Sequence, residues 1–191
     1  MRRITILVAA LAGFAGLAGA QGNPPTYGLE VRAFAGAYVP TGAMRSDFKA
    51  SSLLGAQVAH EYSENLHFVG SLGWADGRNH FSTLSSRSTA IWQYDAGFEV
   101  NLVEVLNQEW LFRPLIGFGA GGRTYDYRAA GVSNSTCAVG YGNVGAEFQR
   151  QIVAIRLEAR DNVSCFKSPI TSGTSTRNDL GLTVGLVYHV R

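Results

Sequence analysis

Between Ile91 and Leu102 the chain reads IWQYDAGFEVNL, and its side chains sort by parity. Trp92, Tyr94, Ala96, Phe98, Val100 and Leu102 fall on one parity, and Gln93, Asp95, Gly97, Glu99 and Asn101 on the other. Successive side chains of a strand point to opposite faces, so this period of two predicts a strand with one apolar face. The same period recurs in seven other stretches. They are 29–39, 53–62, 66–75, 110–123, 139–149, 152–160 and 179–190.

The connections alternate as well. After the second, fourth and sixth stretches they are short (63–65, 103–109, 150–151), and after the first, third, fifth and seventh they are long and rich in Ser, Thr, Asn and Gly. Short turns at one end and long loops at the other predict an all-β fold, an eight-stranded antiparallel up-and-down transmembrane β-barrel. Strands of about 9–12 residues, tilted by ~45°, match the thickness of a hydrocarbon core. Only a closed sheet leaves no unpaired backbone edge in lipid. The apolar parity is therefore expected outside and the polar parity inside. Tyr62, Trp74, Trp92, Trp110 and Tyr188 lie near strand ends, where amphipathic rings form girdles at the headgroup level.

The first residues explain how such a chain would reach a membrane. MRRITILVAALAGFAGLAGAQ has two arginines, an apolar run and an A-x-A arrangement at Ala18 and Ala20, which predicts a secretory signal peptide over 1–20. Residues 21–28 then form a periplasmic segment, and 29–191 the barrel. With the leader removed, fourteen Lys and Arg face fourteen Asp and Glu. No basic stripe remains to attract nucleic acid. No later stretch has the ~20 apolar residues of a spanning helix, and 23 glycines among 191 residues suit packed strands better than helices.

The mature chain resembles the small bacterial outer-membrane β-barrels of OmpA/OmpX type. The residues that carry the resemblance are TVGLVYHV, where Thr183, Gly185, Tyr188 and Val190 fill the slots of a terminal strand signal, together with GAYVPTG (36–42) and LLGAQV (53–58). The resemblance implies outer-membrane lipid as the surroundings and the barrel assembly machinery as a partner during insertion. It implies no cofactor and leaves the ligand of the loops unspecified.

The polar parity collects Glu30, Arg32, Glu61, Asp95, Glu99, Arg113, Arg123, Glu147, Arg156, Glu158, Arg160 and Asp179. An eight-stranded barrel is just wide enough for side chains to fill, and unpaired buried charge is costly, so these groups are expected to pair and plug the lumen. GFGAGG (117–122) contains G-x-G-x-x-G, but strand and loop follow it where a dinucleotide site needs a helix. Its glycines make room for larger lumen side chains instead. His60, His67, His80 and His189 lack metal-ligand spacing. His80-Phe81-Ser82 matches the His-x-Ser of barrel lipid A deacylases, yet it lies in a loop without an orienting third group. The sequons at Asn134 and Asn162 are incidental in a bacterial exported chain.

Cys137 and Cys165 are an even pair on an oxidising export route. Pairing Phe148 with Val153 across the turn at Arg150 sets Cys137 opposite Ser164 and predicts a disulfide. The chain is accordingly expected to be a non-catalytic barrel with a plugged lumen and a structural or surface-interaction role through its long loops. The alternatives are a lipid-modifying barrel enzyme and a small diffusion channel.

Overall fold

The computed structural model describes residues 28–63, 65–81, 84, 88–102, 105–107, 110–169 and 173–190, and the side chains of 105–107 and 110 are outside that description. The expected leader and the first seven residues of the segment 21–28 lie outside it too. The strands are β1 (Leu29–Pro40), β2 (Ser51–Ser63), β3 (Leu66–Arg78), β4 (Ser88–Asn101), β5 (Val105–Asn107), β6 (Trp110–Asp126), β7 (Ser135–Arg150), β8 (Val153–Lys167) and β9 (Thr174–Val190). Every pairing is antiparallel, in the order β4-β3-β2-β1-β9-β8-β7-β6, and β4 pairs with β6 to close the sheet. β5 is a three-residue piece that pairs only with the start of β6. Eight long strands therefore form the wall of a barrel without an edge.

The two parities part as the alternation requires. In β4, Trp92, Tyr94 and Phe98 face outward while Asp95, Gly97 and Glu99 are buried. The outward apolar row runs from Trp92 to Leu102. Ten residue steps at ~3.4 Å span about 34 Å along the strand, or roughly 26 Å at ~40° tilt, against a band of ~25 Å in membrane barrels. Aromatic rings line this exterior, with Phe68 and Phe98 edge-to-face at a centroid distance of 5.6 Å and Phe98 and Phe118 tilted at 6.4 Å. Trp74 and Trp92 pair at 6.4 Å nearer the long loops. Tyr94 lies across from Gly122 and covers it so closely that a Cβ there would stand 2.6 Å from its ring.

The strands reach further than the alternation alone marks. β8 continues to Lys167 and β9 begins at Thr174, which leaves the fourth loop only 168–173. Pairing continues above the apolar band, where an outward face need not be hydrophobic and the period-2 signal fades. The expected turn at 103–109 is likewise shortened by β5. In β7–β8, Phe148 pairs with Ile155 and Arg150 with Val153, two residues away from the register expected from sequence. The hairpin closes over Gln151 and Ile152, with Gln151 in the left-handed region at φ 58°. A shift of two leaves every side chain on its expected face.

Candidate functional site

Most of the buried charged side chains among the described residues gather in the lumen. Alternation in β1 sends Glu30 and Arg32 inward, and in β8 it sends Arg156, Glu158 and Arg160 inward one above the other. Arg32 donates to Glu30 at 2.5 Å through Nη2 and at 2.9 Å through Nε. It also meets Glu99 at 3.1 Å. Glu99 accepts from Arg156 through both oxygens, one of them at 2.9 Å. Arg156 turns next to Glu158 at 2.8 Å, and Glu158 accepts from Arg160 at 3.0 Å. Arg160 then donates to Asp95 at 3.1 Å while its guanidinium lies 4.0 Å above the Tyr141 ring. The chain of contacts continues through Gln93, which donates to Asp95 at 2.8 Å and accepts from Arg123. It ends at Asp179, which accepts from both Arg123 and Asn162.

At the short-turn end, His189 sits between Glu30 and Glu147, with Nδ1 3.3 Å from the first and Nε2 3.4 Å from the second. Arg113 stands 4.0 Å from Glu147, and Arg156 approaches the same carboxylate at 3.9 Å. Glu61 lies at the rim, where it accepts from the Gly28 amide. These contacts form a column that links β1, β4, β6, β7, β8 and β9 across the barrel, with Glu61 apart from it. Desolvated charges of this density are tolerable only with such multiple pairing.

Glycine makes the column possible. Tyr141 of β7 lies directly across from Gly119 of β6, whose other neighbour is Gly97 of β4. A Cβ on either glycine would come within 2.6 Å of the Tyr141 side chain. The neutral members of the column, Gln57, Ser71, Gln93, Asn162 and Tyr141, fall outside the set of charged groups expected to pair. Their lumen parity was the available signal.

Above Arg123 and Asp179 the lumen changes character. Tyr38, Ile91, Tyr125 and Phe166 point inward from the strands, and Met44, Phe48, Phe81 and Tyr127 come in from the loops, to form a buried, largely apolar cluster across the long-loop mouth. Phe48 stacks on Tyr125 at 5.6 Å and meets Phe166 edge-on at 5.8 Å. The first loop is fixed there by a short 3₁₀ turn over Gly42–Ser46 and by a bridge between Phe48 and Asn79. Burial pushes the Tyr127 phenol up, so it stays neutral in this cap. Between cap and column lies a cavity of about 40 Å³, bordered by Tyr38, Leu53 and Ile91 on one side and by Gln93, Asp95 and Arg160 on the other. That is room for about one or two waters. An apolar cap was not expected from the sequence.

Cys137 and Cys165 form a disulfide beside this cap, with Cα atoms 5.5 Å apart. His80 is exposed in the second loop, and Ser82 of the His-x-Ser string lies outside the described residues. Among the described residues no three His, Cys, Asp or Glu groups are disposed to hold a metal. The outside of the barrel is itself a functional surface, since Leu54, Phe98, Phe118, Val144, Leu157 and Leu186 all stand exposed around its girth. An apolar surface of that extent is made for lipid rather than water.

No protein-family model matches the sequence, and no curated protein matches it. Solved structures do match. Neisserial surface protein A superposes with a TM-score of 0.62 at 12% identity, over 84% of this chain and 96% of its own. The chain has the fold of a small outer-membrane barrel. The N-terminal β-barrel domain of Pseudomonas aeruginosa OprF (TM-score 0.54, 10% identity, 86% of this chain and 98% of its own) repeats that architecture. So does the outer membrane protein OprG from the same organism, at 0.51, 13%, 86% and 97%. The resemblance to OmpA/OmpX-type barrels therefore holds at the level of the fold.

Proposed function

We propose that this chain is an exported, non-catalytic barrel of the bacterial outer membrane, with a blocked lumen and a structural or surface-interaction role carried by its loops. In this reading 1–20 is a cleaved leader, 21–28 begins in the periplasm, and the terminal strand Thr183–Val190 is read by the barrel assembly machinery. The short turns then face the periplasm and the long loops face outside. The observation that carries the reading is the filling of the lumen from end to end: Glu30 to Asp179 are linked by ion pairs and hydrogen bonds, and the aromatic cap covers them. A cap built partly from three loops also anchors each of them at a fixed point over the mouth, which suits recognition at a surface.

Refolded protein in planar bilayers tests the blocked lumen. The expected result is a quiet baseline, and defined conductance steps would replace this reading with a diffusion channel. Mass analysis of lipid A from a deletion strain tests the absence of catalysis, with an unchanged acyl pattern expected. A changed pattern would make the barrel an enzyme.

A further inference from the structure

One group of charges on this barrel answers to nothing inside it. The bridge between Phe48 and Asn79 turns both of those side chains inward, so their chain neighbours Lys49, Arg78 and His80 point outward. The backbone beneath is fixed, because the Lys49 amide donates to the Arg78 carbonyl at 2.9 Å and the His80 amide donates to the Asp47 carbonyl at 2.9 Å. The three side chains border an open groove of about 330 Å³ together with Asp76, Asn79 and Ser88. Asp76 is already engaged by Arg128 at 3.7 Å. Among the described residues, no carboxylate pairs with Lys49 or Arg78.

The height of the groove says what meets it. Arg78 shares the outward parity of Trp74 and lies four residues beyond it, about 13 Å along the strand. Trp74 and Trp92 sit where the apolar band ends, at the level of lipid headgroups. At ~40° tilt the groove lies about 10 Å above that level, where the long side chains of Lys49 and Arg78 can reach back to the headgroup layer.

We propose that Lys49, Arg78 and His80 form a docking site for the phosphate of a surrounding lipid headgroup on the long-loop side of the membrane. The site rests on the outer-membrane reading above. Lys49 and Arg78 supply charge, Arg78 can hold two phosphate oxygens at once, and His80 adds a ring N–H donor. Each cation should raise phosphate affinity about fivefold, so the pair should supply on the order of 25-fold.

Native mass spectrometry of the refolded full chain tests this, with bis-phosphorylated lipid A and the same lipid with its phosphates removed as probes. The parent should retain the phosphorylated lipid at least tenfold better than the dephosphorylated one. The double variant Lys49→Gln/Arg78→Gln should lose that preference, and Lys167→Gln, which removes a charge elsewhere on the long-loop side, should keep it. Equal retention by parent and double variant would overturn the proposal. So would an equal loss in Lys167→Gln, which would mean that net charge alone is read. Displacement of the lipid by inorganic phosphate at matching concentration would make this a site for free anions and overturn it as well. Heat-dependent gel mobility shows that each variant is folded. A parent that fails to fold into phosphatidylcholine vesicles would count against the membrane reading, not against this site alone.

Discussion

Asp179→Asn should destabilise the barrel more than any other single isosteric change in the column. Asp179 is 0% exposed and Arg123 1%, and Asp179 is the only carboxylate to which Arg123 donates among the described contacts. After the change every partner left to Arg123 would be neutral, among them the Asn amide oxygen at 179, the Gln93 oxygen and the face of Tyr38 at 5.8 Å. Removing one partner of a buried pair costs about 3–5 kcal/mol, and Coulomb attraction at ~3 Å in an effective dielectric of ~20 gives about 5 kcal/mol. Glu99→Gln offers the contrast. There Arg32 keeps Glu30 at 2.5 Å and Arg156 keeps Glu158 at 2.8 Å, so the loss should be about 1–3 kcal/mol, the scale of charged hydrogen bonds. The double variant Arg123→Met/Asp179→Leu removes both charges and should recover most of the loss, because apolar replacement of a buried pair is often neutral. Urea titration of folding into lipid vesicles, followed by tryptophan emission and gel mobility, measures all three. A folded Asp179→Asn within about 1 kcal/mol of the parent would mean that water reaches Arg123. The cap would then not exclude solvent, and the blocked lumen would fall with it.

Two other outcomes are expected. Phe98→Arg places a charge on the lipid face of β4 between Phe68 and Phe118 and should cost about 2–4 kcal/mol near the midplane in the same titration; if it folds like the parent, the lipid does not lie where the outward rings are. Maleimide should label no cysteine of the unfolded chain before reduction and two after it, and labelling of both without reductant would rule out the bridge between Cys137 and Cys165.

How much of this was legible follows from what a period of two can encode. It reports the face of a residue, and in β4 every residue from Trp92 to Glu99 stands on the side that alternation assigns. It does not report register, because sliding one strand past another by two residues restores every face. That is why Phe148 could be set against Val153 when its partner is Ile155. Loop residues have no period at all, so Met44, Phe48 and Phe81 gave no sign of meeting over the mouth. A sign did exist in the strands: Tyr38, Leu53, Ile91 and Tyr125 are apolar or aromatic residues on the polar parity, all toward the long-loop ends. Apolar residues on a polar face call for a partner, and only loops folded back over the barrel could supply it.

The order of charges within single strands bears on how such a chain enters a membrane. Arg32 bonds Glu30 two residues before it, and in β8 Glu158 lies between Arg156 and Arg160 and accepts from both. These partners share a face and a strand, so they can meet before any neighbouring strand has docked. A hairpin carrying its own counter-ions presents far fewer unpaired charges to the bilayer than its number of ionised residues suggests. The contacts that need the finished cylinder, such as Glu99 with Arg156 and Asp95 with Arg160, are left for closure. Insertion and sealing can thus proceed as separate steps, with the electrostatic cost of the first limited by the spacing of residues along one strand.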